Sequence, residues 1–221
     1  MRKILALTIL LLTSCWVYAD ESLRWAGPYV GFDAGYTTAH DNSQSYLPSG
    51  DLNIWADKTK VSGGLVGISA GYNLALGERF TLGLEGLFKI YNANGHSFDS
   101  IQGVPHPDVP FTTDIDKKIS LLAKLGYLLN DKTLAYIEGG WSDANLNRSY
   151  CQGTCETHKN WQDGFTLGLG GEYNFYGNLT AKVDYQFTRL TDKSNFITQW
   201  NDSYKHNVNQ NELTFGMAYH F

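Results

Sequence analysis

The sequence predicts an all-β chain, a transmembrane antiparallel up-and-down β-barrel of about eight strands. Three observations predict it. Apolar and polar residues alternate with a period of two in segments spread along the whole length. The apolar parity of those segments carries no Asp, Glu, Lys or Arg. Short and long connections between the segments alternate.

The segregation of charge has a physical reason. A Lys or Arg on the outer face of a barrel at mid-bilayer costs roughly 2–4 kcal/mol, so hydrocarbon on one side of each strand keeps that side free of charge. A soluble lipocalin-like barrel would reverse the arrangement, turning the apolar parity inward and exposing Gly, Thr and charge. No second apolar run approaches the length of a helical span, so any crossing falls to strands.

At the N-terminus, Met1-Arg2-Lys3 is a basic start, Ile4 to Cys15 is mostly apolar, and Val17-Tyr18-Ala19 offers a small-residue cleavage site. Residues 1–19 are expected to be an export signal peptide and residues 20–221 the barrel domain. Leu12-Thr13-Ser14-Cys15 keeps a lipobox alternative open, in which Cys15 is lipidated. Removal of Arg2 and Lys3 takes the formal charge from −5 to −7. This balance excludes a nucleic-acid footprint. Aromatic content of 14% with 23 glycines and only 5 prolines fits strands that approach one another closely.

The segments run in order. Val30, Phe32, Ala34 and Tyr36 open the series, then Val66 to Leu74, Phe80 to Phe88 and Ile119 to Tyr127. Ala135 to Trp141, Phe165 to Phe175, Ala181 to Phe187 and Leu213 to Phe221 complete it. Short links at Ala75–Arg79, Asn130–Lys132 and Tyr176–Asn178 alternate with long polar ones near His40–Ser62, Ala93–Asp116, Leu146–Gln162 and Thr191–Gln210. That is the layout of periplasmic turns and extracellular loops. Aromatics on the apolar parity sort to the two ends. Tyr72, Phe80, Tyr127, Tyr173, Phe175, Tyr219 and Phe221 lie by the short turns; Tyr36, Phe88, Trp141, Tyr185, Phe187 and Phe215 lie toward the long loops. Two such belts match interfacial girdles.

These residues resemble the small OmpA/OmpX-type outer-membrane barrels, within the porin-family β-barrel domains. Trp25-Ala26-Gly27-Pro28-Tyr29-Val30-Gly31, Gly83-Leu84-Glu85-Gly86 and the last strand ending on Phe221 carry the resemblance. It implies a Gram-negative outer-membrane location after export. Partners implied are outer-membrane lipid, lipopolysaccharide and the barrel-assembly machinery, which would read Tyr219 and Phe221 as an assembly signal. No peptidoglycan-binding domain is expected after Phe221. Fold alone does not fix activity.

The inward parity sets Asp33, Glu85, Lys89, Lys124, Glu138, Glu172, Lys182 and Asp184 at broadly similar heights. An eight-stranded lumen has room only for side chains, so a plug of paired charges is expected; a cation-conducting constriction is the alternative. Cys151 and Cys155 are expected to form a local disulfide in an oxidising compartment, with a metal site including His158 as the other possibility. No cofactor or resident metal is expected, and Pro105, Pro107, Pro110, Asp108, Asp114 and Asp116 show no EF-hand spacing.

Catalysis would need a nucleophile or His-based set near the outer rim. Of His40, His96, His106, His158, His206 and His220, only His220 is expected in a strand, by the periplasmic rim, and His96-Ser97 is an isolated adjacency. A non-enzymatic structural and surface-display barrel is the expected function. A surface adhesin or loop-borne ligand binder and a lipid A-modifying enzyme are the alternatives. Trp55, Trp161 and Trp200, with Tyr46, Tyr150 and Tyr204, are expected in long loops, either as binding anchors or folded back to cap the barrel.

Overall fold

The computed structural model describes residues 24–101 and 103–221. The segment 1–19 expected to be a signal peptide, Cys15 included, lies outside the described residues. Nine strands follow in sequence: β1 (Gly27–Tyr46), β2 (Leu52–Leu76), β3 (Phe80–Ile101), β4 (Val104–Asn130), β5 (Thr133–Gln152), β6 (Thr154–Tyr176), β7 (Leu179–Leu190), β8 (Lys193–Ile197) and β9 (Asp202–His220). β1 to β7 pair antiparallel in sequence order, and β1 pairs with β9 from Tyr29↔His220 to Tyr46↔Ser203, which closes the ring. β7 and β8 lie end to end on one edge of β9, from Leu179↔Tyr219 through Arg189↔Asn209 to Lys193↔His206 and Ile197↔Asp202. They form one stave broken at Thr191-Asp192, so the barrel has eight staves.

Side chains obey the period of two. On β3, Phe80, Leu82, Leu84, Phe88 and Ile90 are exposed, while Thr81, Glu85, Leu87 and Lys89 are buried. The ten residue steps from Phe80 to Ile90, at about 3.3 Å each and a tilt of about 40°, give an apolar band close to the roughly 25 Å typical of these barrels. The lower aromatic belt, Tyr72 to Phe221, and the upper belt, with Tyr36 and Trp141, are exposed on this outer face.

Above the band the structure corrects the sequence reading. The segments read as long loops are mostly strand. Among the described residues here, the strands are interrupted only at 47–51, Gly103, Gly153, 191–192 and 198–201. Each hairpin continues well beyond the apolar band, as in Asp41↔Thr59 and Arg148↔His158. Many outward residues here are polar, among them His40, Lys58, Lys60, Asn92 and Asn94, with Ile54, Phe98 and Trp161 as exposed exceptions. With no hydrocarbon outside, the alternation that marks a membrane strand disappears, although the ladder continues. Five of the six histidines therefore belong to upper strand segments and not to loops. Trp55 and Trp161 also sit on strands, while Trp200 sits in the turn before β9.

Two glycines are set by cross-strand approach. Tyr29 lies opposite Gly71, and Tyr136 opposite Gly170. A Cβ at Gly71 would stand 2.5 Å from Tyr29 Cζ, and one at Gly170 would stand 2.7 Å from Tyr136 Cε2. The missing side chains let both rings lie flat across the neighbouring strand and carry their hydroxyls into the lumen.

Candidate functional site

The lumen is filled in tiers. At the short-turn end Trp25, Leu128, Leu134 and Tyr136 form an apolar cluster. The Trp25 indole N–H donates to the Asp131 carbonyl at 3.3 Å, and the His220 ring stacks on Tyr29 at 5.2 Å. These groups close the short-turn mouth.

Above them is an ion network contributed by five strands. Glu85 on β3 accepts from Lys124 on β4 at 3.3 Å, from Lys182 on β7 at 3.2 Å and from the Tyr29 hydroxyl at 2.8 Å. Glu172 on β6 lies 3.7 Å from Lys124 and 3.1 Å from His220 Nε2. Lys182 reaches Asp184 at 3.5 Å, and Tyr136 donates to the same carboxylate. Lys124 Nζ also sits 3.9 Å from the Tyr136 ring centroid. Charges this far from water need such multiple partners, because desolvation otherwise exceeds the Coulombic gain.

The next tier is centred on Glu212 of β9. Lys89 and Lys118 approach it at 2.8 and 2.6 Å, and the Tyr91 hydroxyl donates at 2.7 Å. Gln186 links the two tiers, accepting from Lys89 at 2.8 Å and donating to Glu138 at 2.7 Å. A chain of hydroxyls, Ser120, Ser142, Thr166 and Thr188, runs across four strands at 2.6–2.7 Å and ends on Lys118 at 3.1 Å. Next comes an apolar layer that includes Val61, Leu65, Ile115, Leu146, Leu190 and Val208, all buried. It interrupts the polar column.

A third polar group sits above that layer, beyond the apolar band. Asp41 accepts from Arg148 Nε at 2.7 Å, from Thr113 at 3.0 Å and from His206 Nδ1 at 3.0 Å. Burial by itself raises the Asp41 carboxyl, but His206 and Arg148 outweigh it and hold the group well below the usual carboxylate range. Burial also holds the His206 imidazole below its ordinary value despite Asp41. The other ring nitrogen, His206 Nε2, lies 2.6 Å from the Tyr150 hydroxyl, so the imidazole bridges Asp41 and Tyr150. Around the outer mouth, Phe111, Tyr150, Ile197 and Tyr204 cluster, with Trp55 and Trp200 packed against them. Nearby, burial pushes the Asp57 carboxyl up to about 6, opposed by hydrogen bonds from Ser97 and Thr59.

The eight charged residues singled out from parity all face the lumen, but not at one height. Glu85, Lys124, Glu172, Lys182 and Asp184 interlock; Lys89 belongs to the tier above, and Glu138 meets it through Gln186. Asp33 takes part in none of the described ion pairs, and its Oδ1 is buried without a partner. Lys118, Glu212, Asp41, Arg148 and His206 lie on strand segments that extend beyond the stretches alternation marks, so parity alone does not point to them. Continuing the parity one step past Ser120 and Thr214 reaches Lys118 and Glu212. Cys151 and Cys155 oppose each other across the β5–β6 turn with their sulfurs at bonding distance and Cα atoms 4.1 Å apart. His158 instead meets Glu156 at 2.9 Å. Among the described residues no group of three or more His, Cys, Asp or Glu is arranged to hold a metal.

His96 and Ser97 point to opposite faces: His96 is outside, while Ser97 donates to Asp57 at 2.6 Å. The Tyr150–His206–Asp41 chain is sealed, with no surface from which a substrate could reach it. Tyr150 and Tyr204 are buried caps, Trp55 and Trp200 partly buried ones, and Trp161 faces outward.

A model of the outer membrane protein beta-barrel domain matches residues 7–221. The chain belongs to this family. This outer-membrane barrel is 27% identical over 215 residues to the 31 kDa outer-membrane immunogenic protein of Brucella melitensis, covering 91% of this chain and 85% of the relative. The Brucella suis protein of the same name matches equally. Among solved structures, the outer membrane protein OprG of Pseudomonas aeruginosa superposes with a TM-score of 0.57 at 14% identity, covering 91% of this chain and all of that one. The outer membrane protease OmpT of Escherichia coli gives 0.50 at 12% identity, over 88% and 97% of the two chains. At these identities the two structures speak to the fold, an antiparallel barrel of the outer membrane of Gram-negative bacteria. They do not carry an activity across.

Proposed function

We propose that the chain is a non-enzymatic structural barrel that holds a closed lumen across the outer membrane and displays a rigid β-structured rim outside. One observation carries this reading: the charged tiers of the lumen are interlocked from wall to wall and separated from the outer mouth by a buried apolar layer. Water and ions would have to break several short ion pairs together to pass. The name of the Brucella relative, an immunogenic outer-membrane protein, supports surface display. In this reading the chain is exported, cleaved after Ala19, handed to the assembly machinery through Tyr219 and Phe221, and seated among lipid and lipopolysaccharide. The Cys151–Cys155 bridge pins the tip of the β5–β6 hairpin.

The test is conductance in planar bilayers. The refolded chain is expected to give no ohmic steps at neutral pH. Stable cation-selective conductance that is lost in Asp33→Asn would instead establish a pore lined by the carboxyl that no ion pair holds.

A further inference from the structure

A cavity of about 220 Å³ opens at the outer end of the barrel, where strands β2, β3, β4, β5 and β9 and the turn at 198–201 converge. Trp55, Trp200 and Tyr204 supply aromatic walls, and Asp99, Asp202 and Gln152 supply polar groups. No Lys or Arg lines it. The buried Arg148 is already engaged by Asp41 and Gln162.

The walls are fixed in place. The Trp200 indole N–H donates to Gln152 Oε1 at 2.7 Å, and its ring lies 5.6 Å from that of Tyr204. Trp55 packs edge-on against His106 at 5.1 Å. With the Trp200 donor committed, that indole offers its π surface to an occupant. The carboxylates differ in what they have left. Asp99 accepts from Tyr204 and from the Ser100 backbone N–H. Asp202 accepts at Oδ2 from Asn53 at 2.7 Å and Ser45 at 3.2 Å, and none of the described hydrogen bonds uses its Oδ1. Burial pushes the Asp99 carboxyl above its ordinary value, partly offset by the Tyr204 hydroxyl, the Ser100 N–H and His106.

Aromatic faces beside desolvated carboxylates recognise positive charge on a poorly hydrated group: the ring quadrupole attracts it and the carboxylates neutralise it. The volume lies below the roughly 300–1,000 Å³ of sites for drug-sized ligands, which limits the occupant to a few heavy atoms. We propose that the mouth of the barrel binds a small organic ammonium ion, caged by Trp55, Trp200 and Tyr204 and neutralised by Asp202 and Asp99. The site is separate from the closed lumen beneath and does not depend on it.

The experiment uses the full chain refolded in maltoside micelles at neutral pH, titrated calorimetrically with choline, with its uncharged isostere 3,3-dimethylbutanol, and with glucose. Choline is expected to bind saturably with a dissociation constant of about 1 mM or tighter, and the isostere at least about tenfold more weakly. Asp202→Asn, Trp200→Leu and Trp55→Leu are each expected to weaken choline about tenfold while heat-modifiable gel mobility stays unchanged. The proposal is overturned if choline fails to saturate, if the alcohol binds as well as choline, or if glucose binds in its place. Choline binding that survives all three substitutions overturns it too.

Discussion

Glu212→Gln is expected to destabilise the folded barrel by about 3–5 kcal/mol, the range for removing one partner of a buried ion pair. Glu212 is the carboxylate that both Lys89 and Lys118 contact, at 2.8 and 2.6 Å, and its side chain is 1% exposed. Without its charge, two ammonium groups remain side by side, away from water and repelling each other. The Tyr91 hydroxyl and Gln186 can share hydrogen bonds with them but cannot neutralise them. Urea titration of refolding into lipid vesicles measures the loss. A triple replacement, Glu212→Leu with Lys89→Met and Lys118→Met, is expected to recover most of it, because burying apolar groups of similar volume avoids the desolvation of three charges. A shift below about 1 kcal/mol for the single variant, the range of an exposed pair, would mean that water reaches this tier.

The second large effect concerns the outer face. Arg placed singly at Leu84, Leu121 or Leu169 is expected to cost about 2–4 kcal/mol each and to lower the amount of folded protein in the outer membrane. These leucines are half exposed in the isolated chain and lie at mid-band on β3, β4 and β6. Asn94→Arg is the control. It lies outward on the same strand as Leu84 but above the apolar band, where the face already carries polar residues, so folding should change little. The same vesicle titration, with the heat-dependent gel shift as a folding check, separates the two classes.

The membrane-spanning part of the fold was legible because lipid writes a rule into the sequence. Leu121 and Leu122 are both leucine, yet the charge at Lys124 marks the even positions of β4 as interior. Above the band that rule lapses. Outward Lys58 and Lys60 make the upper part of β2 look like a solvated loop, although it continues the ladder with β1. A bulge between Ile115 and Lys117 also reverses the parity of β4, so that Ile115 faces inward while Ile119 faces lipid. Period alone cannot be carried across such a point.

The lumen was half legible for a related reason. Parity marks which charges face inward, but not which charge meets which. Lys89 and Glu212 are 123 residues apart, and Lys182 and Glu85 are 97 apart. Register around a closed ring sets those meetings, and no local pattern encodes it. The tyrosines were overlooked because an uncharged ring on the inward parity reads as packing. Tyr29 and Tyr136 become partners of Glu85 and Asp184 only because Gly71 and Gly170 let them lie across the next strand.

The most direct measurement is a nitroxide scan of β4 from Ile119 to Leu125 in lipid bilayers, one site at a time, reading collisions with oxygen dissolved in the hydrocarbon. Leu121 is 50% exposed and Leu122 fully buried, so adjacent labels should report opposite environments. The account predicts a period of two, with collision maxima at 119, 121, 123 and 125 and minima at 120, 122 and 124. Maxima on the even positions, or a flat profile, would contradict it.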